Sequence, residues 1–167
     1  MKNSRFTVAI HIMSVISFLE EAFPGELVKS HQIADSVNTS PIVIRRSLAK
    51  LRQAGLVEIY GGATGGSKLA KHPDEISLLD VFRAVEEEDL FAMHPNQPSQ
   101  SCPVGATIAP VLNGVYKEVD RAIGTALKGK TIGDLYQNMK STFLEAQNTS
   151  LEDMKKGWEA RIAQQKN

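Results

Sequence analysis

Apolar residues recur at helical spacing along most of the chain. From Ser4 to Ala22, Phe6, Ala9, Ile12, Met13, Ile16 and Leu19 form one stripe, and Val8, Ile10, Val15 and Phe18 carry apolar character around the other side. A helix apolar nearly all round must be covered on more than one face. The expectation is that a domain core covers one side and a second subunit the other. Pro24-Gly25 breaks this helix. Two shorter signatures follow, separated by a three-residue turn. Ser30 is expected to cap the first, whose stripe is Ile33, Ala34 and Val37. Asn38 and Thr39 supply turn chemistry. Ser40 is expected to cap the second, with Pro41 at its first helical position, where the missing N–H costs nothing. Ile44, Leu48 and Leu51 mark its buried face, and Gly55 ends it as a left-handed residue.

The period then changes. Leu56 to Tyr60 reads as a strand and Ser67 to Ala70 as its returning partner. Gly61, Gly62, Gly65 and Gly66 surround Ala63 and Thr64 between them, so the connection can take positive φ and lie close to another backbone. The glycine spacing fits neither G-x-G-x-x-G nor a Walker A motif. Ser77 to Glu88 predicts a short helix with Leu78, Leu79, Phe82 and Val85 inward, and the acidic run Glu86 to Asp89 is its solvated end. Phe91 to Ser101, rich in Pro, Asn, Gln and Ser, predicts a mobile loop. A long helix follows from Pro103 to Lys128. Its residues Ile108, Leu112, Val115, Val119, Ala122 and Ala126 alternate at four and three, which is a coiled-coil seam. Val111, Ile123 and Leu127 form a second stripe. Two stripes suit a dimer interface; a buried helix of a monomer is the alternative. Gly129 stops this helix, and Thr131 can cap another bearing Ile132, Leu135, Met139 and Phe143. The polar end of the chain holds Leu151, Met154, Trp158 and Ile162 at the spacing of an amphipathic helix.

The architecture is therefore mainly α with a small β-hairpin: a winged helix-turn-helix plus a long dimerisation helix. Residues 1–72 are the DNA-binding domain, 73–147 an effector loop and dimerisation helices, and 148–167 a polar tail. Such a fold places its second helix in the major groove of DNA. With Ile44, Leu48 and Leu51 inward, Ser40, Pro41, Ile42, Arg45 and Arg46 face DNA. An arginine can bind guanine bidentately, which is worth ~1–3 kcal/mol of discrimination. Lys2, Arg5, Lys50, Arg52, Lys68 and Lys71 suit phosphates, and Gly62 and Thr64 sit at the tip of the wing.

Zero formal net charge argues at first against nucleic acid, but the charges are unevenly placed. Residues 1–72 hold nine Lys or Arg against five Asp or Glu, and residues 73–167 ten against fourteen. That asymmetry joins a basic module to an acidic one. No stretch approaches the ~18 apolar residues of a membrane span. The apolar start lacks a small-x-small cleavage site before Glu20, so a cytoplasmic protein is expected. One cysteine forbids an internal disulfide.

The stretches IADSVNTSPIVIRRSLAKLRQAGLV, the GG-x-x-GG wing, ISLLDVFRAVE and CPVG together resemble the Rrf2 family of bacterial winged-helix regulators, within it the YwnA-like branch. The resemblance runs from about Asn3 to Phe143 and implies a homodimeric, sequence-specific regulator of repressor type acting on a double-stranded DNA operator. Many members carry an arginine at the start of the wing and a tyrosine after its glycines; this chain has Gly61 and Ser67. Some relatives bind an iron–sulfur cluster through three nearby cysteines. A cluster needs several protein ligands, so a chain with Cys102 alone is expected to hold none.

Cys102 precedes Pro103, which places the thiol at a helix N-cap, where the dipole favours thiolate. It is the candidate redox sensor; a structural thiol is the alternative. His11, His31, His72 and His94 show no metal-ligand spacing, and His11 on its apolar helix reads as a satisfied core histidine. Nothing supplies the oxyanion hole that a Cys102–His94 hydrolase would need, so no enzyme is expected. The other reading of the whole is a ligand-responsive protein-interaction module with little DNA affinity.

Overall fold

The computed structural model describes residues 4–86 and 91–164. Seven helices are found among them: α1 (Arg5–Ala22), α2 (Ser30–Val37), α3 (Pro41–Gln53), α4 (Leu78–Val85), α5 (Pro103–Lys128), α6 (Ile132–Gln147) and α7 (Leu151–Gln164). Strands β1 (Val57–Tyr60) and β2 (Gly66–Leu69) form an antiparallel hairpin, and a 3-10 turn at Pro73–Glu75 precedes α4.

α1 is the central post. Ala9, Ile12, Met13 and Ile16 have no solvent exposure, and Ser14 and Ser17 are buried beside them. Both hydroxyls donate to the carbonyl one turn back, to Ile10 and Met13 at 2.9 Å each, so neither serine is an unpaired polar group in the core. α2, α3 and α4 pack on one side, with Phe6 edge-on to Phe82 at 5.3 Å. The expected cover for the other side was a second subunit. Within the chain, α6 and α7 also pack against α1. Tyr136 is buried on α6, and Trp158 of α7 meets Phe18 edge-on at 5.7 Å. The half-buried His11 bonds Ser36 through Nε2 at 3.1 Å, and burial lowers its pKa.

The caps follow local chemistry, with one shift. Ser30 was expected to cap α2, but Lys29 takes that position. Its extended backbone lets the Gln32 carboxamide oxygen accept the Lys29 N–H at 2.8 Å, leaving Ser30 as the first helical residue. Reciprocal boxes open α4, between Ser77 and Asp80, and α6, between Thr131 and Asp134. Those two entrances are clipped together, with the Leu78 N–H on the Lys130 carbonyl and the Ile132 N–H on the Ile76 carbonyl. Val81, absent from the expected inward set of α4, is fully buried; Leu79 and Phe82 are half-buried. The acidic positions 87–89 lie outside the described residues.

The strands start one residue later (β1) and one earlier (β2) than expected, with Val57 opposite Leu69 and Tyr60 opposite Gly66. Both flanks of β2 are used. Val28 exchanges two backbone hydrogen bonds with Ser67, at 2.8 and 2.9 Å, and the Glu20 carboxylate accepts the Leu69 N–H at 2.8 Å. A Cβ on Gly66 would lie 2.9 Å from the Val28 carbonyl oxygen, so this approach requires glycine.

α5 spans the expected residues, yet none of them is buried. Val104, Val111 and Val115 are 67%, 62% and 47% exposed. The alternative of a helix buried within a monomer therefore does not hold. The α5 end is held by Leu127 at the core edge, and Tyr116 stacks on Phe91 at 4.9 Å. On α6, Met139 and Phe143 are exposed where the sequence predicted an inward stripe, and Tyr136 is buried instead.

Glu21 fastens α6 to α1. Its carboxylate accepts from the Tyr136 hydroxyl and the Lys140 ammonium. Partial burial pushes the Glu21 carboxyl up, but these bonds and the Lys140 charge outweigh it and leave the pKa below the usual value. A folded pKa below the unfolded one stabilises the native state above the unfolded pKa, about 4.3, and that stability is lost as pH falls through the folded value. With Glu21 and Lys140 side chains 34% and 19% exposed, solvent screening holds the effect to about 1 kcal/mol. Glu21→Gln should therefore lower stability at pH 7 and converge with the parent below pH 4. Urea melts of both proteins at the two pH values measure this.

Candidate DNA-binding interface

The interface is built from α2, the turn, α3 and the hairpin. Asn38 takes φ 56°, and the Thr39 N–H returns to the Ala34 carbonyl at 3.0 Å, so the chain reverses tightly. Ser40 caps α3 by accepting the Val43 N–H at 3.4 Å, a long bond, with Pro41 as the first helical residue. Ile44, Leu48 and Leu51 enter the core as expected. Packing this stripe inward turns Ile42, Arg45 and Arg46 outward. Val43 joins them at 40% exposure, a position the stripe alone did not single out.

The wing separates the two arginines. Arg45 lines a groove between α3, the start of α2 and the hairpin, together with Ser30, His31, Tyr60 and Gly62; Arg46 is not part of it. His31 and Tyr60 were missed as site residues because only the packing of α2 and of β1 against α3 brings them to one groove. Gly62 has φ +91° at the exposed tip, beside the exposed Thr64.

Lys68 does not stand free on the wing. It pairs with Glu58 across the strands at 3.0 Å and lies 5.4 Å from the Tyr60 ring centroid. The Tyr60 hydroxyl donates to the same Glu58 carboxylate at 2.5 Å. The Tyr60 and Lys68 bonds hold the Glu58 pKa down, and the Glu58 bond raises that of Lys68. A phosphate contact by Lys68 thus competes with a carboxylate already in place. The signal lay in the strand register, which sets Glu58 opposite Lys68. Arg5 is exposed on the first turn of α1, Lys50 is half-buried in the last turn of α3, and Arg52 and Lys71 are exposed; Lys2 lies outside the described residues.

Cys102 is the N-cap residue of α5 and is exposed. The backbone N–H groups of Gly105 and Val104 hold its thiol below the ordinary pKa. It is no part of the α3 surface. The donor set of an iron–sulfur cluster is not present around it. The chain has one cysteine, and among the described residues no three His, Cys, Asp or Glu side chains converge. No helix among them is long and apolar enough to cross a membrane.

Residues 2–138 match the Rrf2 family, described as "Iron-dependent Transcriptional regulator". The chain is 43% identical over 140 residues to YwnA of Bacillus subtilis (strain 168), named as an HTH-type transcriptional regulator; the alignment covers 83% of this chain and 99% of that protein. It is 30% identical over 128 residues to the HTH-type transcriptional regulator NsrR of the same organism, across 75% of this chain and 85% of NsrR. The solved structure of CymR, the global cysteine regulator of B. subtilis, superposes with a TM-score of 0.60 at 20% identity, covering 83% of this chain and 97% of that one, a likeness of fold. The single cysteine here does not suit the iron cofactor that the family description implies for other members. The helix-turn-helix with its exposed basic face and the match over most of the chain lead to one conclusion: the chain belongs to the Rrf2 family and is a DNA-binding transcriptional regulator.

Proposed function

We propose that this regulator acts as a homodimer in the cytoplasm, reads a palindromic operator through α3, and responds to thiol oxidation at Cys102. The observation that carries the DNA reading is the outward face of α3, where Ile42, Arg45 and Arg46 are exposed beside the wing. The N-terminal part of a recognition helix enters the major groove, and two such helices one helical turn apart fit a palindrome. Arg46 and Arg45 are the base readers, with Arg45 placed toward the wing side. Ser40, Pro41, Gly62 and Thr64 approach the backbone, and Arg5, Lys50 and Lys68 answer phosphates, Lys68 against the pull of Glu58.

The dimer reading rests on α5. A helix of 26 residues without one buried position, carrying exposed valines, calls for a partner of matching apolar character. The face of Ile108, Leu112, Val115, Val119, Ala122 and Ala126 pairs with its copy. The thiol reading rests on the exposed, low-pKa Cys102 at the head of that helix. Its thiolate attacks a peroxide oxygen to give sulfenic acid and hydroxide, and a small thiol condenses with the sulfenic acid, releasing water. The mixed disulfide adds bulk where α5 begins.

Three outcomes are expected. Arg46→Ala and Arg45→Ala each relax base preference by ~1–3 kcal/mol per bidentate contact removed, read as anisotropy titrations on operator and scrambled DNA across a salt series; parental affinity and selectivity in both variants would refute the assignment. Val115→Glu leaves the exposed position unstrained within one subunit but abolishes association, so sedimentation should find a monomer where the parent is a dimer. Operator binding by the parent falls after mild peroxide with glutathione while Cys102→Ser is unaffected; an equal response in both proteins would make Cys102 structural.

A further inference from the structure

The family match ends at residue 138, and the alignment with YwnA takes in 83% of this chain. The extension is α7, and it is docked rather than trailing. Trp158 packs on Phe18, and the Arg161 guanidinium donates to the Asp35 carbonyl of α2 at 3.1 Å. Between α7 and the α1–α2 connection lies a cleft of about 320 Å³. Leu19, Phe23 and Val28 form one wall, and Trp158 and Ile162 the other. Its size and apolar lining are those of a small-molecule site.

The polar groups narrow the occupant. Glu26 and Glu159 line the cleft as exposed carboxylates, and among the described residues no lysine, arginine or histidine lines it. Phe23 and Trp158 offer two aromatic rings, which attract cations through their faces. The Phe23 ring already accepts one from Lys155, whose ammonium lies 5.1 Å from its centroid and does not line the cleft. Gln32 is committed in part, its oxygen holding the Lys29 N–H. We infer that this cleft binds a small lipophilic organic cation with an aromatic body, and that α7 gives this regulator an effector site beyond the residues that the family match covers. The cleft touches α2 through Gln32, and α7 grips α2 through Arg161, so an occupant contacts the element that seats α3.

The chain contains one tryptophan, and it is Trp158, so intrinsic fluorescence reports the cleft directly. The probe is benzoylcholine, which carries a phenyl ring, an ester carbonyl and a quaternary ammonium. Its controls are 3,3-dimethylbutyl benzoate, the neutral carbon isostere, and the anion hippurate. Titration of the full chain with benzoylcholine should give a saturable fluorescence change, with weaker binding of the isostere and none of hippurate. Glu26→Gln combined with Glu159→Gln, both at exposed positions, should weaken benzoylcholine at least threefold while the melting temperature stays parental; Glu159→Gln alone, with a smaller loss, serves if the pair does not fold. No saturable change overturns the inference, as does equal binding of the isostere or hippurate, or a loss under threefold in the paired variant. The titration contains no DNA. Failure here leaves the regulator standing, and a change in operator affinity on adding the probe tests the coupling separately.

Discussion

Enclosure of α1 is the constraint on which the rest of the structure depends. Its apolar residues occupy most of its circumference, and solvation of any side would leave large apolar area in water, at roughly 25 cal/mol per Å². Every other layer can be read as a response. α2, α3 and α4 close one side, and α6 with α7 closes the other. The two buried serines do not weaken the post, because each hydroxyl bonds back to its own helix. Glu21 then converts the α1–α6 contact from a non-directional apolar one into a specific pairing with Tyr136 and Lys140.

Seating α3 against this post determines its outward chemistry. Ile44, Leu48 and Leu51 are held inside, so the helical period alone exposes Ile42, Arg45 and Arg46. The wing is aimed by a different device. Val28 and Glu20 tie the edge of β2 opposite β1 to the body, which keeps the hairpin from swinging freely relative to α3. Electrostatics on that wing are muted, since Glu58 neutralises Lys68 and also holds Tyr60. On α3, by contrast, Arg45, Arg46 and Arg52 remain exposed.

α5 and α7 solve opposite problems. α5 meets the body at its Leu127 end and keeps Val104, Val111 and Val115 exposed. α7 returns to the body and covers Phe18, an apolar residue of α1. The return creates the cleft with its two carboxylates.

The sequence by itself determined what neighbours within a turn or two can decide. The Ser40-Pro41 start of α3, its inward Ile44, Leu48 and Leu51, the left-handed Gly55 and the span of α5 were all legible, because helical period and capping are local properties. The motifs around them also carried the family. Ser30 was misplaced as a cap by one residue, since the choice depended on whether Gln32 folds back on Lys29. The tertiary structure alone decided that α6 and α7 cover the second side of α1, that Tyr136 is buried and Met139 is not, and that Arg45, unlike Arg46, borders the wing groove. Glu21 and Tyr136 are 115 residues apart, and Arg161 and Asp35 are 126 apart. An apolar stripe says that a face must be covered; only the path of the whole chain says by what.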